Sequence, residues 1–273
     1  MKEEWTGERL ETHFFNETSI EHLHRYAAVL EFAKGKRVLD IACGEGYGAK
    51  LLSQFADHVT GIDIDKRTIE KASSKYKASN IEFICGSALE IPAAEEKFDL
   101  ITCFETIEHI DDHDKLLNEL KRVLKPNGTL VISTPEKSNY SDTSDYSNPF
   151  HKKELYGSEF RELIKSKFKF ADFFTQSSIA GSVIQKEPPG YFQAIYAGDF
   201  EKVNTINNLV TMYRIAIASD IKLPMLSPSL FQYPKPVSQI QFEEAEKIKK
   251  TITYRTGQIL LSPFKLVRSF FKK

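Results

Sequence analysis

The sequence predicts an α/β fold: a mostly parallel, seven-stranded sheet with helices on both faces, followed by a C-terminal helical extension. Three observations carry the prediction. Short Val-, Ile- and Leu-rich runs alternate with helical stretches over residues 37–133. The first run ends in Asp40 and opens into Gly44, Gly46 and Gly48. The second ends in Asp63, about twenty residues beyond those glycines. Continuously apolar strands separated by helices are what a parallel sheet covered on both faces requires.

In chain order, residues 20–32 place Ile20, Leu23, Ala27 and Leu30 three and four apart, an amphipathic helix with Ser19 as its expected N-cap. Strands follow at 37–41, 58–63, 81–85, 100–104 and 129–133, with helices at 47–55, 66–76 and 112–124. In the last helix Leu116, Leu117, Leu120, Val123 and Leu124 form one stripe, and Pro126-Asn127-Gly128 stops it. A helix at 158–167 and strands at 169–174 and 191–197 complete the seven. The expected division is a helical cap over the site at 1–34, the core at 35–198 and an extension at 199–273. A proline cluster at 224–236 reads as an irregular connection, and residues 242–273 return to helical spacing with no acidic residue after Glu246.

The chain of 273 residues carries 37 basic against 38 acidic side chains, so it has no net field to gather nucleic acid, and none is expected as a partner. Met1 is followed by Lys2, Glu3 and Glu4, and no apolar stretch approaches the ~20 residues of a membrane span, which predicts a cytoplasmic protein. Cys43, Cys85 and Cys103 have no C-x-x-C spacing, which argues against a disulfide framework or a zinc site. Each falls near the end of a predicted strand and reads as a small buried thiol.

Glycines between a strand and a helix let backbone approach a ligand, because no Cβ stands in the way. The spacing G-x-G-x-G is also compatible with a ligand-free tight turn, and it is not the G-x-G-x-x-G of dinucleotide sites. Asp63 tips the balance, since a carboxylate there accepts both hydroxyls of a ribose. Ile64 then lies against an adenine face, and Gly86-Ser87-Ala88-Leu89 meets the adenine edge.

Val38-Leu39-Asp40-Ile41-Ala42-Cys43-Gly44-Glu45-Gly46, Asp63, Phe98-Asp99-Leu100-Ile101 and Leu124-Lys125-Pro126-Asn127-Gly128-Thr129-Leu130 together resemble the class I S-adenosylmethionine methyltransferases, whose sheet is Rossmann-like. The resemblance implies S-adenosylmethionine as co-substrate, held by Asp40, Gly44, Gly46, Tyr47, Asp63, Ile64, Ser87, Ala88, Phe104 and Glu105. Ser87 departs from the acidic residue common at that position. Similar enzymes close an N-terminal segment over the donor; here it carries Trp5, Arg9, Arg25 and Tyr26, and Arg25 pairs with the methionine carboxylate. Trp5 and Tyr26 also read as ordinary packing aromatics.

A closer resemblance spans residues 5–185 through Thr6-Gly7-Glu8-Arg9, Glu21-His22-Leu23-His24-Arg25-Tyr26, Phe104-Glu105-Thr106-Ile107-Glu108-His109 and Asn148-Pro149-Phe150-His151-Lys152-Lys153-Glu154-Leu155. This combination is similar to methyltransferases of bacterial surface-polysaccharide assembly, including those that cap O-antigen chains. It implies a glycan, sugar or other small-molecule acceptor.

Methyl transfer from a sulfonium needs alignment of donor and acceptor and, for a hydroxyl, removal of a proton. His109, just past the fourth strand, is the expected base, and His151 enters the same pocket. A capping or surface role is the alternative for His109. Glu105 and Glu108 flank the site. Asp112 and Asp114 suit a helix start without an ion, so no metal is expected. Residues 140–150 form a polar loop suited to sugar hydroxyls or simply to solvent. The tail sets Phe264, Leu266, Val267, Phe270 and Phe271 beside Lys265, Arg268, Lys272 and Lys273, which suits an anionic membrane at the inner face, the protein's own core or a second subunit.

The leading function is O-methylation of a sugar hydroxyl or terminal phosphate of a glycan or glycan precursor. The alternatives are N-methylation of an amino sugar, O-methylation of a quinone or other small molecule, a donor-binding scaffold without activity, and a nicotinamide oxidoreductase.

Overall fold

The computed structural model describes residues 10, 12, 15–143, 148–179, 181–188, 195–198, 203–206, 208–232 and 237–257. The chain divides into two compact units, Met1–Phe231 and Gln232–Lys273.

Helix α1 (Glu17–Val29) opens the first unit. Its N-cap is Asn16 rather than Ser19: the Asn16 side chain accepts from Ser19 N at 3.0 Å, and Ser19, three residues on, accepts from Asn16 N at 3.1 Å to complete the capping box. Then come β1 (Arg37–Ile41), α2 (Tyr47–Leu52), β2 (His58–Asp63), α3 (Lys66–Lys75), β3 (Ile81–Cys85), β4 (Phe98–Cys103), α4 (His113–Val123) and β5 (Leu124–Pro135). A short α5 (Lys137–Tyr140) and α6 (Gly157–Lys167) precede β6 (Phe170–Ile179) and β7 (Gly181–Lys186). Two small strands, β8 (Ile195–Gly198) and β9 (Val203–Ile206), are followed by β10 (Tyr213–Ser219) and β11 (Ser229–Gln232).

The main sheet has nine strands, in the order β11-β7-β6-β10-β5-β4-β1-β2-β3, rather than seven. Strands β3, β2, β1, β4 and β5 are mutually parallel. β10 runs antiparallel to both β5 and β6, so the sheet is mixed on that side. The strand expected at 191–197 is not part of it among the described residues: β8 pairs with β9 in a separate two-stranded ribbon, and residues 191–194 lie outside the described residues. The sheet is completed by β10, from beyond the expected end of the core. Its Ile215 and Ile217 face one side and Ala216 and Ala218 the other, both buried, as an interior strand requires.

Alternation along the strands splits the core and also places the site. Leu39 and Ile41, with Leu130 and Ile132, pack under α4 and α6. Val38, Leu100 and Val131 pack with Tyr26 and Val29 of α1 and with Ala49 and Leu52 of α2. With a side-chain period of two, Asp40 shares Val38's face, Thr102 shares Leu100's and Asp63 shares Val59's. All three polar groups therefore lie under α1 and α2.

In the second unit α7 (Val237–Lys250) ends in Lys247, Lys249 and Lys250, cations that suit a helix C-terminus. The basic, apolar tail from residue 258 onward lies outside the described residues, as do Trp5 and Arg9. Among the described residues no helix is long and apolar enough to cross a membrane.

Candidate active site

β1 and β4 are neighbours, yet the chain continues from β1 toward β2 and from β4 toward β5. This is the topological switch point, where loops leave in opposite directions and open a crevice beyond the carboxyl ends of the strands. Strain is concentrated there. Ala42 after β1 and Glu105 after β4 both have positive φ, 54° and 47°, a conformation that costs a non-glycine residue about 1–3 kcal/mol.

The glycine turn is built as the spacing implied. Gly44 and Gly46 have φ of 53° and 80°, and a Cβ on Gly46 would stand 2.7 Å from the Phe83 ring. Gly44 N donates to Asp63 Oδ2 at 3.0 Å, while Asp65 N donates to Oδ1 at 2.9 Å. The acid at the end of β2 is thus tied to the glycine turn. Next to it Ile64 is 71% exposed, an apolar side chain left open beside a carboxylate. Ser87 accepts from Leu89 N at 3.1 Å and shapes the turn with Ala88, which Gly86 N anchors to Asp63 O at 2.9 Å.

Asp40 is as deeply buried as Arg25. It is buried and accepts from Thr102 Oγ1 at 2.7 Å and from the Tyr26 hydroxyl at 3.0 Å. Burial raises its pKa to about 7 despite these bonds. These bonds tie α1, β1 and β4 together. Tyr26 crosses above Gly48, whose Cβ would fall 2.0 Å from the Tyr26 ring, and meets Phe104 edge-on at 5.1 Å.

Arg25 is the most unusual residue of the site. It is 1% exposed, donates through Nη1 to Gln176 Oε1 at 2.7 Å, lies 3.8 Å from Glu105 and stacks over Tyr213. Among the described residues its Nε and Nη2 have no hydrogen-bond partner. Burial pulls its pKa down, but Glu105, Tyr213 and Glu21 hold it above the ordinary value, so the charge persists. A buried cation with two unmet donors is a costly arrangement that a bound anion relieves. Glu105 in turn accepts from the Ser133 hydroxyl at 2.6 Å. Tyr47 bonds His22 Nδ1 at 2.8 Å, and burial, then the Arg25 charge, holds His22 well below its usual pKa.

The two histidines expected at the site, His109 and His151, are brought together. Their rings meet edge-on at 5.0 Å. His109 Nδ1 lies 3.0 Å from the Phe150 carbonyl, and His151 sits between the Glu154 carboxylate at Nδ1 and the Asn148 amide at Nε2. Tyr140 stacks on His151. Glu108 is 1% exposed and accepts from Thr134 at 3.3 Å; burial, then the charge of Glu105, pushes its pKa well up. The Arg25 charge offsets part of that rise. Asp112 caps α4 by accepting from Lys115 N, and Asp114 pairs with Lys167 at 2.7 Å, which accounts for both without an ion.

The comparisons with known proteins fall on this framework. Residues 39–132 match the family model of the methyltransferase domain. That match runs from β1 into β5 and takes in the glycine turn, Asp63 and the turn after β4. A probable S-adenosylmethionine-dependent methyltransferase of Mycolicibacterium smegmatis is 34% identical over 142 residues, 52% of this chain and 54% of that protein. An O-methyltransferase of Aspergillus nomiae is 35% identical over 109 residues, 38% of this chain and 48% of that one. The chain therefore spans about half the length of the curated relatives it matches. A solved S-adenosylmethionine-dependent methyltransferase of Archaeoglobus fulgidus superposes with a TM-score of 0.55 at 18% identity, over 74% of this chain and 93% of that one, so the methyltransferase-type fold is shared.

Several site residues escaped the sequence. Glu21 and His22 stand on the inward face of α1 with Arg25, and their i, i+1, i+4 spacing was the available signal. Tyr213 donates to Glu21 at 2.8 Å from β10, a strand the sequence reading passed over. Gln176 had no local signal, because its role comes only from the fold. Cys43 and Cys103 are buried as expected, whereas Cys85 is exposed.

Proposed function

We propose that this chain is an S-adenosylmethionine-dependent methyltransferase that methylates an oxygen, on a sugar hydroxyl or terminal phosphate of a glycan or glycan precursor. The observation that carries the donor assignment is Arg25, a buried cation with two N–H donors unmet among the described residues, 3.8 Å from Glu105 in the turn after β4. Its Nε and Nη2 suit the methionine carboxylate bidentately. Asp63, already fixed by Gly44 and Asp65, suits the ribose hydroxyls, and exposed Ile64 suits the adenine face. The relatives named for this co-substrate, and the domain match, support the same reading.

The donor supplies an electrophilic methyl on a sulfonium. The chain's own residues align it, keep water away and handle the acceptor's proton. His109 keeps its Nδ1 proton on the Phe150 carbonyl, which leaves the Nε2 lone pair as the proton acceptor. The glycan class rests on the resemblance over residues 5–185, and the polar segment after β5 supports it. Peripheral contact of the 258–273 tail with an anionic inner leaflet belongs to the same proposal; deleting residues 262–273 should abolish sedimentation with anionic vesicles.

The test is transfer of labelled methyl to a panel of sugar nucleotides, lipid-linked glycans and small phenols, with mass and linkage analysis of the product. The reading expects a methyl ether or methyl phosphate on a sugar, lowered about a hundredfold or more in kcat by His109→Ala. A methylamine or methylated phenol instead of a methylated glycan would contradict it.

A further inference from the structure

Three ligand-type groups meet around these two histidines: one ligand atom from each of Glu108, His109 and His151 lies within 4.8 Å of the others. Convergence alone is common, but the surroundings of these three are specific. His109 Nδ1 faces the Phe150 carbonyl at 3.0 Å, a group that can only accept, so the ring proton sits on Nδ1 and the lone pair on Nε2. His151 Nδ1 faces the Glu154 carboxylate, which likewise fixes the proton there. Asn148 Oδ1 accepts from Phe150 N at 3.0 Å, so its amide NH2 donates to His151 Nε2 and marks that nitrogen as the lone-pair side.

Each imidazole thus has its Nδ1–H held by an oxygen acceptor, which puts the σ-donor lone pair on Nε2. That outer-shell pattern is the one that orients histidines toward a metal. Glu108 adds the anion: its carboxylate is buried, with one long hydrogen bond from Thr134 as its side-chain bond. A buried carboxylate so thinly compensated is stabilised by a cation placed against it. Two imidazole nitrogens and one carboxylate oxygen match first-row divalent ions with open coordination positions rather than Mg2+ or Ca2+.

We propose that Glu108, His109 and His151 bind one first-row divalent cation such as Zn2+, with Glu154 and the Phe150 carbonyl as its outer shell. Binding takes from His151 Nε2 the hydrogen bond it now accepts from Asn148. The inference rests on the methyl-transfer reading and replaces one role in it: such an ion would act as a Lewis acid for an acceptor oxygen, and His109 Nε2 would hold the ion rather than take the proton. Its test is nevertheless independent of donor and acceptor.

Tag-free full-length protein, stripped with a chelator, is titrated with ZnCl2 by calorimetry. One equivalent should bind, at least tenfold more weakly in each of Glu108→Gln, His109→Gln and His151→Gln, about tenfold more weakly in Glu154→Gln, and unchanged in His58→Gln. If Glu108→Gln does not fold, the two histidine variants carry the test, with circular dichroism reporting their fold. No binding up to millimolar Zn2+, or equal affinity in the three ligand variants, would overturn the site. S-adenosylhomocysteine titrated into the same stripped protein reports separately on the methyl-transfer reading.

Discussion

Asp63 Oδ2 accepts the backbone N–H of Gly44 at 3.0 Å, so the acid ending β2 and the turn leaving β1 are one hydrogen-bonded unit. Replacing Asp63 therefore separates two roles. Asp63→Asn loses the charge proposed to meet the ribose hydroxyls and keeps an oxygen for only one of its two backbone donors, Gly44 N and Asp65 N, with its NH2 set against the other. It should weaken S-adenosylhomocysteine about ten- to a hundredfold, the worth of one or two charge-assisted hydrogen bonds, with a smaller loss of stability from the one displaced backbone donor. Equal loss of affinity and of fold would reduce Asp63 to a structural role.

Tyr26 and Gly48 are matched. An added Cβ on Gly48 would lie 2.0 Å from the Tyr26 ring, within a core whose neighbours are fixed by Asp40 and Phe104. Gly48→Ala should cost about 1–3 kcal/mol in urea denaturation. In a Tyr26→Ala background the same substitution should cost close to nothing, because the clash is gone. Additive effects would show that Gly48 is required for something other than Tyr26.

His24 should make the folded protein acid-sensitive. It is 2% exposed, between Ser182 and Ser229 hydroxyls at 3.0 Å each, and burial, then the Arg25 charge, lowers its pKa to about 4. The unfolded chain therefore binds more protons than the folded one between the ordinary value of 6.5 and about 4. Stability is present above 6.5 and falls as pH drops through that window. Asp40, raised to about 7, works in the opposite direction over much of the same range, so the total curve is flattened. The difference isolates His24: from pH 7 to pH 5 the wild type should lose about 2 kcal/mol more than His24→Gln in denaturant melts. Parallel pH curves would mean that His24 is protonated in the fold.

The parallel half of the molecule was legible because each of its strands is a short apolar run bounded by a turn. β2 and β3 fall on the expected residues, and α4 within one residue at each end, since their signals are local. The antiparallel half was not. Tyr213–Ser219 is as apolar as β1, but its partners β5 and β6 are fixed by long-range pairing, and the chain before it gives no helix to announce a strand. In the site, Gly44, Gly46 and Asp63 were readable because strand-to-turn spacing encodes them. The Arg25 network was not, since Gln176 and Tyr213 reach it from strands distant in sequence. Asp40 shows the remaining difficulty: sequence placed it at the site, and only the alternation of β1 puts it beneath the turn, against Tyr26 and Thr102.

The central claim, that the crevice at the ends of β1 and β4 takes a methyl donor, is tested most directly by calorimetry of the full chain with S-adenosylhomocysteine and, separately, with NAD. An acid at the position of Asp63 serves either ribose, whereas the carboxylate pairing proposed for Arg25, whose Nε and Nη2 lack a hydrogen-bond partner among the described residues, has its counterpart in the amino-acid end of S-adenosylhomocysteine. The account predicts one equivalent of S-adenosylhomocysteine bound at micromolar affinity, about 1:1, and no heat from NAD. Binding of NAD with none of S-adenosylhomocysteine would contradict it.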